Sequence, residues 1–521
     1  VAGSTTLAGA TTVSTGSGCV TFTGAVNGAF GLTANSTGAT LFSAAVGGGS
    51  ALTSLTTNAG GTVSLQSVTT TGAQQYGDNA TLNGMYITAN SAFSVAGSTT
   101  LAGATTVSTG SGCVTFTGAV NGAFGLTANS TGATLFSAAV GGGSALTSLT
   151  TNAGGTVSVQ SVTTTGVQQY GDNASLNGTY TTIDSAFSVA GTTTLAGTTT
   201  VSTSSGSITF TGTVDGAHGL TANSTGVTLF SATVGGSTSL ASLTTNAGGT
   251  VSLQSVTTTG AQQYGDNATL NGTYTTTNST VSIAGTTTLA GTTTVSTGTG
   301  SITFTGSVNG AYALTANSTA ATLFNAAIGG STGLTSLTTN AGGTVSLQSV
   351  TTTGAQQYGD NATLNGTYTT TNSTVSIAGT TTLAGTTTVS TGTGSITFTG
   401  SVNGAYALTA NSTAATLFNA AIGGSAGLTS LTTNAGGTVS LQSVTTSGAQ
   451  QYGDNATLNG TYTTTDSAFS IAGTTTLAGT STVSTATGSV TFTGAVNGAL
   501  ASPPIPPASR SSAPQSAAIT P

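Results

Sequence analysis

The sequence predicts an all-β protein: a parallel β-helix, or β-solenoid, of three-sided coils. Three observations carry that reading. The chain repeats itself with a period of 94 residues, its apolar residues alternate in short runs, and turn-forming residues separate the runs.

The period is the first constraint. "QQYGDN" occurs at 74–79, 168–173, 262–267, 356–361 and 450–455. "VAGSTTLAG" begins at Val1 and returns at Val95, then with small changes at Val189, Ile283, Ile377 and Ile471. The chain therefore divides into repeats 1–94, 95–188, 189–282, 283–376 and 377–470, with a partial repeat 471–500. Self-similarity at fixed period means stacked units, so 1–500 is expected to form one continuous solenoid.

The strands come next. In "CVTFTGAV" (19–26), Val20 and Phe22 fall on one face and Thr21 and Thr23 on the other. "TVSLQSV" (62–68) repeats the pattern with Val63 and Leu65. Period-2 alternation in runs rich in Val, Thr and Phe marks a half-buried strand. Between the runs lie "NG", "GG", "TGSG" and "NAGG", residues whose backbone preferences suit turns. No stretch carries a helical period of useful length.

Cutting at the turns divides one repeat into the segments 19–38, 39–61, 62–84 and 85–112. Coils of roughly 20–28 residues, about four per repeat, suit a three-sided solenoid. A five-coil cut, at roughly 19 residues per coil, is the alternative. Asn35, Asn58 and Asn83 are expected to stack at equivalent corners. At ~4.8 Å per coil, four coils rise ~19 Å and the repeats make a rod of roughly 100 Å.

Composition narrows the function. Charged residues are 2% of the chain, against roughly 25% in ordinary globular proteins. There is no Lys or Glu, and the one Arg is Arg510. That removes the basic footprint needed for nucleic acid or an anionic membrane. No run of about 18 apolar residues would span a membrane. Near-identical coils explain the lack of charge, since like charges stacked every ~4.8 Å would repel. The repeats contain no edge-protecting Lys or Pro, so the open ends are expected to be capped elsewhere or to pair with another chain, end to end or laterally. All six prolines fall in 501–521, a Pro/Ser/Ala-rich tail expected to be disordered. Cys19 and Cys113 stand one repeat apart, where later repeats have Ser207, Ser301, Ser395 and Ser489. Four coils would hold them beyond disulfide reach, so two free thiols are expected.

The motif "TTTGAQQYGDNATLNGTYTTT" resembles the "TGAQxYxD…L" unit of filamentous-haemagglutinin-like exoproteins of bacteria, which include two-partner-secretion and autotransporter passengers. The matching residues are Gly72, Ala73, Gln74, Tyr76, Asp78 and Leu82, with their counterparts in each repeat. The resemblance implies a parallel β-helix, an extracellular or cell-surface location, and adhesion to a host or neighbouring cell surface or its glycans.

Five of the eight acidic residues belong to the motif: Asp78, Asp172, Asp266, Asp360 and Asp454. Flanked by Gly and Asn, each suits a corner, where Asp bonds nearby backbone. Each is also a weak calcium candidate with Asn79-type and Asn83-type neighbours. Five equal copies without a partner acid, base or nucleophile do not make an active site. No cofactor is implied. His218 occupies a slot held elsewhere by Phe30, Phe124, Tyr312 and Tyr406, and Asp215–His218 lacks a third group. The tyrosine pairs, Tyr76 with Tyr86 and onward, suit either interior packing or a stripe for glycan stacking. Threonine tracts such as 192–203 would suit ice only if T-x-T recurred at the same place in every coil, which it does not. "NST" at Asn35, Asn129, Asn223, Asn317 and Asn411 matches a glycosylation sequon of low information. The reading is a structural or adhesive surface protein without catalysis, the alternative being a binding module using one repetitive face.

Overall fold

The computed structural model describes residues 1–57, 60–152, 154–245, 248–340, 342–433 and 436–498, together with the backbone of the strand Ser516–Ile519. Among these residues the secondary structure is all strand, with no helix. Two compact units, Val1–Asp266 and Asn267–Pro521, are each built as a parallel β-solenoid.

The alternation in the sequence becomes the two faces of each strand. In Gly31–Ser36, Leu32, Ala34 and Ser36 point inward while their neighbours face out. Inward Val, Leu, Ile and Phe of successive coils meet inside, as in the stacked pair Phe22–Phe42, with ring centroids 5.1 Å apart and planes 4° apart. Backbone groups pair between coils, so a strand whose outer face is only Thr and Ser still has its polar main chain satisfied.

Each coil has three sides. One early coil runs Thr11–Gly16, Val20–Phe22 and Val26–Asn27. On the first side the ladder passes from Thr11 to Leu32, Leu55, Gln74, Phe93 and Val114, all parallel. On the second side it passes from Val20 to Thr40, Val63, Ala80, Thr99 and Val120. The steps are uneven in sequence: Val63 to Ala80 is the shortest of them, and Leu32 to Leu55 is among the longest.

This register refines the cut made from the sequence. The strands Asn79–Ile87 and Thr99–Gly110 each run along two sides without a break, so the stretches 62–84 and 85–112 do not each close one coil. Their shared corner shows as a register shift between Leu82 and Gly84, opposite Leu101 and Thr105. The corner in the later strand is made of Ala102, Gly103 and Ala104, which carry none of the Asn or paired-Gly signals that mark other corners.

One repeat therefore fills four coils and two further sides, fourteen sides in all. Thr11 lies on the first side, and its equivalent Thr105 on the third. In the unit Val1–Asp266 the strand Gln74–Tyr76 is on the first side, Gln168–Tyr170 on the third and Gln262–Tyr264 on the second. In the unit Asn267–Pro521 the same advance carries the ladder from Gln356 through Val375, Ile396, Thr416 and Val439 to Ala456. The rise per repeat is ~22 Å rather than ~19 Å, because two more sides are included at ~4.8 Å per coil.

Of the tail, the strand Ser516–Ile519 pairs antiparallel with Ser481–Ser484. The remainder of 501–521, with its expected disorder, lies outside the described residues. Cys19 and Cys113 are both free and exposed, and they precede different sides, the second for Val20 and the first for Val114.

Candidate functional site at the repeated corner

The motif residues converge on one corner of the coil and face inward. Gln74–Tyr76 is a short strand with Gln74 and Tyr76 buried and Gln75 outside. The ladder sets Tyr76 beside Thr57 of the preceding coil and Val95 of the next. Gly77 then turns the chain, its N–H donating to the Thr57 carbonyl at 2.5 Å, and Asp78 enters the corner.

Asp78 is 1% exposed. Its Oδ1 accepts the Gly61 N–H at 2.6 Å, across 17 residues of sequence. The bond thus joins two coils instead of closing a local turn on the aspartate's own neighbours. The other four copies do the same: Asp172 with Gly155, Asp266 with Gly249, Asp360 with Gly343 and Asp454 with Gly437, at 2.6–2.7 Å. The second carboxylate oxygen, Oδ2, is buried without a hydrogen-bond partner in all five.

The amide of Gln74 supplies the interior of the same coil. Its Nε2 donates to the carbonyls of Val68 at 3.2 Å and Ile87 at 2.9 Å, which lie on successive coils. Its Oε1 accepts the Tyr76 hydroxyl at 3.1 Å. Tyr86 crosses from the third side and donates to the Leu65 carbonyl at 3.1 Å while accepting the Asn83 N–H at 3.1 Å. Both rings meet Phe93 edge-on, at 5.7 and 5.6 Å. Burial pushes both phenols up from their ordinary value, with each hydroxyl held where ionisation would strand a charge. The tyrosine pairs are accordingly interior struts, and a glycan-stacking stripe is excluded for them.

The asparagines act as staples between coils. Asn27 Oδ1 accepts the N–H groups of Gly49 and Ser50, and Asn79 Oδ1 accepts that of Ser98. Asn83 donates to Gln66 Oε1 at 3.0 Å, at the corner between the second and third sides. Asn35 ends the first side, so it does not share a corner with Asn83. Asn58 lies outside the described residues. The sequon asparagines Asn35, Asn129, Asn223, Asn317 and Asn411 have a buried Oδ1 without a hydrogen-bond partner.

The remaining candidates fall on the outside. Asp215 Oδ1 accepts the N–H groups of Ser237 and Thr238, as Asn27 does in its own repeat, which explains why Asp replaces Asn there. Phe30, Phe124, Tyr312 and Tyr406 are 41–43% exposed, and His218 takes the same slot half-buried. The expected aromatic slot is therefore a surface slot. In Thr193–Ser202, Thr193 and Thr199 point inward, so the tract does not present a continuous threonine surface. Among the described residues no three His, Cys, Asp or Glu side chains group together as a metal centre. No helix among them is long and apolar enough to cross a membrane.

Sequence reasoning found the motif but missed the Gln–Tyr–carbonyl network and the inward aim of the aspartates. The available signal was the constancy of Gln, Tyr and Asp in five copies, but their outward neighbours Gln75, Gly77 and Asn79 are equally constant, so it did not separate inward from outward residues. No family model, curated protein or solved structure matches the chain. The likeness to filamentous-haemagglutinin-like exoproteins thus rests on the sequence motif, and the β-solenoid of tandem repeats is what the fold itself establishes.

Proposed function

We propose that this chain is a structural, adhesive segment of a secreted or cell-surface protein, acting by its length and surface and not by catalysis. The fourteen-side repeat is the observation that carries the reading. It turns every outward feature by one side per repeat within each unit, so no side shows the same residues in successive repeats. A flat ligand such as ice needs one side to repeat in register, and this surface lacks that. A scaffold that meets partners from any direction needs no such face. Gln74, Asp78 and Asn83 support the same reading, because each is engaged in joining coils. The resemblance of the motif to bacterial exoproteins supports the extracellular location and a cell surface or its glycans as partner. Self-association, end to end or lateral, fits a parallel stack whose repeats carry no edge-protecting Lys or Pro.

The test is attachment. Beads coated with the purified chain should bind epithelial or bacterial cells better than beads coated with a charge-matched globular protein. Equal binding would remove the adhesive reading. Adsorption of one side only to ice or a single glycan, mapped by surface cysteine labelling, would favour the one-face binding module instead.

A further inference from the structure

We propose that each repeat binds one hard cation at the motif corner, with the Asp Oδ2 atom as its anionic ligand. The proposal is independent of the adhesive reading.

The unpartnered buried oxygens are not scattered through the interior. Besides Asp78 Oδ2, they include the hydroxyls of Thr57, Thr40 and Thr99 and the Asn35 Oδ1. Asp78, Thr57 and Thr40 are each 1% exposed. The register sets them at one corner, Thr57 one coil and Thr40 two coils from Asp78, so Thr57 and not Thr40 stands near enough to share an ion with Oδ2. Thr57 pairs with Tyr76, two residues before Asp78, and Thr40 pairs with Val63, two residues after the Gly61 that Asp78 bonds. The same three oxygens are unpartnered in every other repeat: Thr151, Thr134 and Asp172; Thr245, Thr228 and Asp266; Thr339, Thr322 and Asp360; Thr433, Thr416 and Asp454.

A buried carboxylate with half its acceptor capacity unused is strongly unfavourable unless compensated. The chain offers no compensating cation at these corners, because it has no Lys and its single Arg510 lies in the tail. A cation taken up from solution would supply that charge. The unpartnered donors are all oxygen, one of them anionic, which selects a hard ion such as Ca²⁺ or Na⁺ over a soft one. The thiols and the imidazole that would hold a softer metal stand elsewhere: Cys19 and Cys113 are exposed, and His218 is on the outer slot. Shallow surface grooves lie beside the corner. An indentation of about 260 Å³ is lined by Thr57, Tyr76, Gly77 and Ser94, and one of about 290 Å³ by Thr433, Tyr452, Gly453 and Ser470 in the fifth copy.

Within each unit, successive corners stand one side round and ~22 Å along, so the sites cannot share an ion and should bind independently. A single carboxylate predicts weak affinity, with Kd on the order of 10⁻³ M, as in the weakest oxygen-ligand sites.

The experiment uses the whole chain after exhaustive chelation. Calorimetry with CaCl₂ and, in a second arm, NaCl should find about five equivalent sites for one of the two ions, one per aspartate. Terbium should also luminesce on tyrosine excitation, through the neighbouring Tyr76 class. Asp360→Asn should remove one site of the five while circular dichroism stays unchanged. Thr339→Val should weaken that one site several-fold, and it decides the matter if Asp360→Asn does not fold. Absence of saturable binding up to tens of millimolar, well beyond the range of such sites, would overturn the proposal. So would five sites remaining in both variants, or a crystal grown in calcium that shows an ordered water only at Oδ2.

Discussion

Two regions of the repeat obey the same period and behave differently. The corner of Gln74, Tyr76 and Asp78 keeps its residue types in all five copies, whereas the loop at Phe30 reads Phe, Phe, His, Tyr and Tyr. At the corner each side chain meets fixed partners inside the coil: two carbonyls for Gln74, an amide oxygen for Tyr76, a glycine N–H for Asp78. At the loop the ring is exposed, and the fixed requirements lie in its neighbours. Gly28 and its counterparts hold φ between +123° and +129°, where a Cβ would collide with the carbonyl of Leu7 or its equivalent. Asn27, or Asp215, staples the loop to the next coil. Between these two regions the constant residues include those with fixed hydrogen-bond partners or fixed backbone geometry, while the exposed ring of the loop is free to change.

That comparison can be broken first with alkali. The phenols of Tyr76, Tyr86, Tyr170, Tyr180, Tyr274, Tyr358, Tyr368, Tyr452 and Tyr462 are all raised above 10.0, with burial as the main cause. A raised folded-state pKa favours the protonated phenol, so its contribution is complete below pH 10.0 and is lost as pH climbs past it. Phenolate absorbance from these rings should appear together with loss of the β-sheet dichroism, in one cooperative step above that pH. Smooth ionisation with the sheet intact would mean the rings are accessible and the corner is not closed.

A smaller effect is expected from Gln356→Leu. It strips a donor from the carbonyls of Val350 and Thr369 and an acceptor from Tyr358. The expected loss is about 3 kcal/mol, from buried polar groups left unsatisfied. Hydrogen exchange should quicken in the strands Val350–Thr352 and Asn361–Thr370 ahead of the rest.

Gly310→Ala probes the one rigid point of the variable loop. With φ at +129° and the Leu289 backbone against the new Cβ, about 1–3 kcal/mol should be lost as backbone strain, read as a lower Tm. Tyr312→Ala, two residues on, should stay within about 0.5 kcal/mol, as for an exposed position. If the alanine at 312 proved as damaging as the leucine at 356, the contrast between corner and loop would collapse.

Much of this was legible in the residues. Alternation in "CVTFTGAV" places Val20 and Phe22 inside, and both are buried. Pairs such as "NG" and "GG" mark corners because Gly and Asn accept the backbone angles that turns need. The aim of Asp78 was not legible, because its flanking Gly77 and Asn79 look the same beside an outward turn and beside an inward carboxylate. Only the ladder, by bringing Gly61 under it, decides between them.

The sequence by itself determined the strand class, the 94-residue period and the residues that every repeat must keep, since these follow from local backbone preference and side-chain polarity. The tertiary structure alone decided how many sides a repeat fills. A coil closes where strands find register, and register depends on pairing between residues as distant in sequence as Val63 and Ala80, or Leu32 and Leu55. Corners such as 102–104 turn with a single Gly and no Asn or paired Gly, and a strand such as Asn79–Ile87 passes through a corner unbroken. The two extra sides, and with them the rotation of each repeat against the last, come from that long-range pairing, which no window of the sequence contains.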